Sequence, residues 1–223
     1  DIIKDAFDVS EQFITPVIVR MTTRICHVKG LVQLGERVEH DGAAFERDPA
    51  HWVMVPAHAK ERQKFQFARD DQLSEFSEQT SWNRVIEGDD RRFGFVASGP
   101  AFMHVREVFG DAPVLKLGFS HPLPMEKIRA FAASVEKLVV IEETEPLVEN
   151  ALKAAGIDCH GKDILPRCGE LQPDVISKGV DILQSGQQPQ QTREDPGVFP
   201  RPPTMCVGCP HLPPYYCLSK LTK

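Results

Sequence analysis

Three short apolar runs decide most of what this chain can fold into. Phe93-Gly94-Phe95-Val96-Ala97, Pro113-Val114-Leu115-Lys116-Leu117 and Leu138-Val139-Val140-Ile141-Glu142 carry the β-branched and aromatic residues of strands buried on both faces. Helix-length amphipathic segments separate them, from about Ala101 to Val108 and from Met125 to Val135. Strands alternating with helices at this spacing predict an α/β fold with a doubly wound, mainly parallel sheet. Pro146 opens a further helix to Ala155, capped by Gly156, and Ile157 to His160 predicts one more short strand. Leu171-Gln172-Pro173-Asp174 then introduces a last helix to about Leu183.

The flanks differ from this centre. Asp1 to Phe13 has helical apolar spacing, and Pro16-Val17-Ile18-Val19-Arg20-Met21 predicts a buried strand. Residues 30–38 predict an irregular hairpin around Gly35. Residues 41–79 mix scattered apolar residues with charge, which predicts a connector with one exposed helix from about Ala57 to Asp70. Residues 185–203, rich in Gln and Pro, predict a semi-extended linker ahead of a cysteine-bearing tail over 204–223. The chain opens inside a helical pattern and closes just past a motif, as expected of a piece of a longer polypeptide.

The net charge of −6 over 223 residues gives no reason to expect a nucleic-acid partner. No apolar run approaches the ~20 residues of a membrane span. Six scattered cysteines do not make a disulfide scaffold, and no secretory leader is visible, so a reducing, cytoplasmic setting is expected.

Two polar clusters can carry chemistry. Cys206-Val207-Gly208-Cys209-Pro210-His211 places two thiols across a tight turn, with Cys217 eight residues beyond Cys209. The pattern fits three readings: an unmetallated turn, part of an iron–sulfur ligand set, or a crowded zinc site with His211 and Cys217. Thr22-Thr23-Arg24-Ile25-Cys26-His27 follows the first predicted strand, where open α/β sheets place ligands. There Arg24 can hold a carboxylate or phosphate, and His27 can donate a hydrogen bond; pairing with a nearby acid is the structural alternative. Ser98-Gly99-Pro100 is either a phosphate-type turn or a plain helix start. Glu142-Glu143-Thr144-Glu145 supplies either paired acid–base carboxylates or caps for the next helix.

Four segments, in order, resemble one family. Thr22 to His27 with Gly30 resembles the T-T-R-x-S-H…G segment of the large, alpha subunit of indolepyruvate ferredoxin oxidoreductase. Leu115-Lys116-Leu117-Gly118 with Pro122-Leu123-Pro124 is similar to its L-K-L-G…Y-P-L-P, and Val139 to Glu143 to its V-V-E-E strand. Arg201-Pro202-Pro203 with Cys206 to His211 resembles its R-P-P-x-x-C-P-G-C-P-H-R. Val207, Leu212 and Cys26 depart from the family's Pro, Arg and Ser.

The resemblance implies part of a thiamine-diphosphate and magnesium enzyme that decarboxylates indolepyruvate and other aryl 2-oxoacids oxidatively to acyl-CoA. It implies 4Fe-4S clusters, ferredoxin as electron acceptor, coenzyme A and 2-oxoacid as substrates, and a beta subunit as partner. Pyruvate and 2-oxoglutarate ferredoxin oxidoreductases are the nearest alternatives, and a non-catalytic α/β interaction module is another. Under the resemblance, residues 1–40 end the pyrimidine-binding domain and residues 80–184 form the transketolase C-terminal-like domain. Residues 204–223 begin the thiamine-diphosphate-binding domain. Thr23, Arg24 and His27 become cofactor-binding candidates, and Cys206 and Cys209 metal-ligand candidates. The G-D-G…N signature for magnesium and diphosphate and the ferredoxin cysteine run are absent. The activating glutamate is expected upstream of Asp1.

Overall fold

A computed structural model describes residues 2–37, 47–186, 205 and 207–221; of Arg24 it describes the backbone alone. The chain divides into two compact units, Asp1–Pro189 and Gln190–Lys223.

The first unit opens with α1 (Ile2–Phe13), a one-turn α2 (Thr23–Cys26), a one-turn α3 (Pro49–Trp52) and the long α4 (Pro56–Gln79). Strands β1 (Arg84–Ile86) and β2 (Phe93–Ser98) follow, then α5 (Gly99–Val108), β3 (Val114–Leu117), α6 (Met125–Ala132), β4 (Lys137–Ile141), α7 (Leu147–Ala154) and α8 (Pro173–Ser185). The sheet order is β1-β3-β2-β4. β2 runs parallel to both neighbours, with Phe95 opposite Val114 and Val139, and β1 closes one edge antiparallel to β3. The sheet is thus mixed: a parallel core with one reversed edge strand.

The strand pleat sends alternate residues into two cores, one on each face. Phe93, Phe95, Ala97, Val114, Val139 and Ile141 meet Ala101 and Val105 of α5 and Ile176 and Val180 of α8. Val96, Leu115, Leu117, Leu138 and Val140 meet Ile128 and Phe131 of α6 and Leu152 of α7 on the opposite face. Helices cover both faces, which is why the central strands read as unbroken apolar runs.

All three predicted central runs form parallel strands. Elsewhere the structure corrects the sequence. Pro16–Met21 is not a strand; the segment is largely open to solvent, Ile18 being 91% exposed, and no strand among the described residues pairs with it. An apolar β-type run without a partner has no ladder to satisfy its backbone groups. No hairpin forms over residues 30–37 either, and the rest of that prediction, Val38, lies outside the described residues. Ile157–His160 contributes a single bridge, His160 to Val139. The connector helix runs on to Gln79, well past Asp70, because Phe13 packs edge-on against Phe76 and Ser77 is fully buried.

The predicted linker over 185–203 lies almost wholly outside the described residues. In the second unit, α9 (Leu212–Leu221) follows the Cys209 turn and tolerates Pro213 and Pro214 in its first turn. No described helix is long and apolar enough to cross a membrane.

Candidate functional site

The C-terminal ends of β2, β3 and β4 converge on one edge of the sheet, and the strand order reverses direction at β2, between β3 and β4. Open α/β sheets take ligands at such a switch point. One strand–helix corner and two loops build this edge: Ser98–Pro100, where β2 passes directly into α5, Gly118–Pro124 after β3, and Glu142–Pro146 after β4.

The loop after β3 is held by one buried amide. Asn83 Oδ1 accepts from the N–H groups of Gly118 (3.0 Å) and Phe119 (2.9 Å), while Nδ2 donates to the carbonyls of Phe119 (2.9 Å) and Ser77 (3.0 Å). Ser77 Oγ donates to Pro122 O at 2.6 Å, and Lys127 Nζ donates to Asn83 O at 2.7 Å. A Cβ on Gly118 would lie 2.7 Å from the Trp82 carbonyl oxygen, so this close approach requires glycine. Phe76 packs edge-on against Trp82 and Phe119, whose rings tilt against each other, around the network. The Leu-Lys-Leu-Gly…Pro-Leu-Pro motif therefore shapes this loop; sequence reasoning quoted the motif but missed Asn83, which stands alone at the start of β1.

The loop after β4 is acidic, and its carboxylates are engaged. Glu142 accepts from the N–H groups of Val148 and Glu149, both at 2.9 Å, and so caps α7. Glu143 accepts from Leu171 N–H at 3.2 Å, and Glu145 pairs with Arg167 at 2.6 Å. Behind them lies Glu149, buried, which binds Lys153 Nζ at 2.6 Å and accepts from Lys162 N–H at 2.8 Å. Lys162 Nζ donates to Glu142 O and Pro166 O, and burial lowers its pKa. Of the two readings of Glu142, the cap is what the structure forms. Ser98 and Gly99 are exposed at the start of α5, and the Ser98 side chain makes no cap bond.

Among the described residues, the Thr22–His27 cluster is held by local hydrogen bonds. Thr23 and Cys26 lie in the exposed one-turn α2, whose bonds are local: Cys26 N–H to Thr22 O at 3.1 Å and His27 N–H to Thr23 O at 3.2 Å. His27 is exposed, and the Arg24 side chain lies outside the described residues. In the second unit, Gly208 takes a φ of 77° and Cys209 Sγ sits 3.4 Å from His211 Nδ1; Cys206 lies outside the described residues. Among the described residues no group of three or more His, Cys, Asp or Glu is placed to hold a metal ion.

These donors do not fit the implied groups by themselves. A cluster takes four thiolates, and among the described residues of the turn Cys209 with His211 offers two donors of mixed type. A diphosphate takes converging cations and N–H groups, and the β4 edge presents carboxylates already bonded to the N–H groups around them.

No protein-family model matches the sequence. Comparison with curated proteins finds similarity to oxidoreductase subunits. Over nearly its whole length the chain is similar to proteins named indolepyruvate oxidoreductase subunit IorA. It is 34% identical over 229 residues to the subunit of Methanothermobacter thermautotrophicus, covering 96% of this chain and 37% of that protein. To the subunit of Archaeoglobus fulgidus it is 31% identical over 241 residues, covering 99% of this chain and 38% of that protein. The chain thus spans little more than a third of the length of these relatives. A solved 2-oxoglutarate:ferredoxin oxidoreductase from Magnetococcus marinus overlays 57% of this chain and 23% of its own, with a TM-score of 0.46 and 19% identity.

Proposed function

We propose that this chain is the α/β scaffold of a thiamine-diphosphate-dependent 2-oxoacid:ferredoxin oxidoreductase subunit acting on indolepyruvate and related aryl 2-oxoacids. The observation that carries the reading is the similarity to IorA subunits across 96% of the chain. The reaction joins a 2-oxoacid and coenzyme A, releases carbon dioxide and an acyl-CoA, and passes two electrons to ferredoxin. Thiamine diphosphate supplies the ylid and electron sink of such chemistry. The binding groups for it, for magnesium and for 4Fe-4S clusters belong mostly to polypeptide beyond these residues.

This chain's share is positional. Asn83, Ser77 and Lys127 fix the loop after β3, and Glu142, Glu149 and Lys162 fix the loop after β4. In this reading residues 80–184 are the transketolase C-terminal-like domain and 204–223 open the diphosphate-binding domain. Thr23, Arg24 and His27 stand on the cofactor side and the Cys206–Cys209 turn beside the reaction centre. The order of the four motifs along the chain supports these assignments. The subunit name of the relatives supports a second subunit, and the setting is cytoplasmic.

The test is co-expression of the full-length subunit with its partner, followed by coenzyme A-dependent reduction of ferredoxin with a panel of 2-oxoacids. Indolepyruvate is expected to give the highest kcat/KM. Preference for pyruvate or 2-oxoglutarate reassigns the substrate, and no turnover with any 2-oxoacid leaves an interaction module. Cys206→Ala in that protein separates the roles of the turn: a ligand role predicts loss of iron and of visible absorbance with the fold kept.

A further inference from the structure

The loop after β4 holds one residue in a backbone form that its side chain disfavours. Thr144 has a φ of 63°, in the left-handed region, where a β-branched residue is a genuine outlier. It is exposed, and neither its side chain nor its backbone makes a hydrogen bond among the described residues. No bond of its own therefore keeps it there. Such a conformation persists only where the surroundings over-determine it.

The surroundings are a single segment without helix or strand, residues 162–171, which reaches all three glutamates beside Thr144. Lys162 Nζ donates to Glu142 O and, at 3.3 Å, to Pro166 O, so one ammonium joins the loop to the segment's own bend. Leu171 N–H donates to Glu143 at 3.2 Å, and Arg167 Nη2 donates to Glu145 at 2.6 Å. The segment is itself anchored. Ile164, Leu165 and Leu171 are buried in the core that α5 and α8 cover, and His104 Nδ1 of α5 lies 2.7 Å from Leu171 O. Lys162 N–H also donates to the buried Glu149 at 2.8 Å.

We propose that residues 162–171 latch the loop after β4 in its strained form, with Lys162 as the positioning residue, and that turnover uses this form of the edge. The clause on turnover rests on the IorA-type reading. Lys162 stands apart from Arg167 and Leu171 because its ammonium grips a carbonyl on each side of the latch. Without it Thr144 turns to a negative φ, Glu143 and Glu145 move with it, and the sheet edge changes shape where β4 ends.

The test uses the full-length subunit with its partner and reads hydrogen exchange apart from turnover. The reporters are the amides of Leu147, Val148, Glu149 and Leu171, each of which donates to this loop. Lys162→Met is expected to lower their protection about tenfold, with circular dichroism unchanged. Glycine accepts a left-handed φ without steric cost. Thr144→Gly should therefore keep protection within about twofold of wild type alone, and restore it to within about threefold in the Lys162→Met background. The kcat for coenzyme A-dependent ferredoxin reduction should follow, about tenfold lower in Lys162→Met and largely recovered in the double variant. A general loss of stability would not be repaired by a glycine across the loop. Arg167→Met, in the exposed pair with Glu145, gives a milder loss of about threefold with the same reversal, and decides the matter if Lys162→Met does not fold. Additive effects of the latch and Thr144→Gly substitutions overturn the latch, and an unchanged kcat where protection is lost overturns the positioning role. Absence of 2-oxoacid turnover in the wild-type pair counts against the enzyme reading instead, and the exchange comparison still decides the latch.

Discussion

Asn83 uses both ends of its side-chain amide, and its neighbours have no solvent to replace it: Asn83 is 1% exposed and Ser77 fully buried. Asn83→Ala strands the Phe119 N–H and the carbonyls of Phe119 and Ser77, while the Gly118 N–H keeps its bond to Trp82 O at 3.1 Å. Leaving buried partners unpaired costs ~1–3 kcal/mol, so the variant is expected to lose about 3 kcal/mol of stability, read as a lower urea midpoint. Asn83→Asp should not rescue it, because a carboxylate oxygen would face the Phe119 and Ser77 carbonyls where an N–H₂ now donates.

Asp163 shows residue chemistry set by a turn. Burial alone would raise its pKa, but the Gly161 N–H at 2.6 Å and His160 at 2.8 Å outweigh burial and hold it below its ordinary 3.8. Such a carboxyl binds its proton less readily when folded, so its stabilisation is complete above pH 3.8 and is lost as pH falls through the lower, folded value. The stability gap between wild type and Asp163→Asn should therefore be constant near neutrality and close below pH 3.8, in urea titrations across the acid range. A gap that persists unchanged at the acid end would show that the carboxyl contributes nothing through its charge.

Elements were legible wherever local pattern and partner agreed. β2, β3 and β4 appear in the sequence because burial on both faces demands apolar runs, and the helices between them show one apolar stripe each. β1 escaped, since three residues with Arg84 outward and Val85 and Ile86 half-buried carry too little pattern. Pro16–Met21 misled for the opposite reason: its residues suit a strand, and pairing is a property of neighbours that sequence alone does not display. The candidate edge was legible in part. Glu142 and the Ser98–Gly99 corner stood at strand ends, whereas the Asn83 network joins residues 35 and 36 positions apart and left no local mark. Close packing between elements gives a direct check. A Cβ on Gly94 of β2 would lie 2.7 Å from Val135 and 3.1 Å from Phe131 beneath α6. Gly94→Val is expected to lose ~1–3 kcal/mol through overpacking, or more if the helix cannot shift, measured by thermal or urea unfolding.

For the whole molecule, the two units and the share of the relatives covered set the expectation. A chain spanning 37% of an IorA subunit, with its β4 edge carboxylates already bonded, is expected to bind thiamine diphosphate and magnesium weakly and to show no 2-oxoacid:acceptor activity when purified alone. Isothermal calorimetry reads this directly; tight one-to-one binding would place the cofactor determinants inside these residues after all.

The long connector α4 is fastened to the α/β layer at one end. Glu78 caps α6 through the N–H groups of Glu126 and Lys127, Ser77 holds Pro122, and Phe76 sits among Phe13, Trp82 and Phe119. Its other end abuts α3, which carries the exposed Trp52. Mechanically this is a cantilever: 24 residues of helix make a strut about 36 Å long at ~1.5 Å per residue. A one-degree tilt at the fastened end swings the far end by about 0.6 Å. Force applied at the far end arrives, with that leverage, at the one Ser77 hydroxyl bond and the two Glu78 carboxylate bonds that hold the loop after β3 and the start of α6.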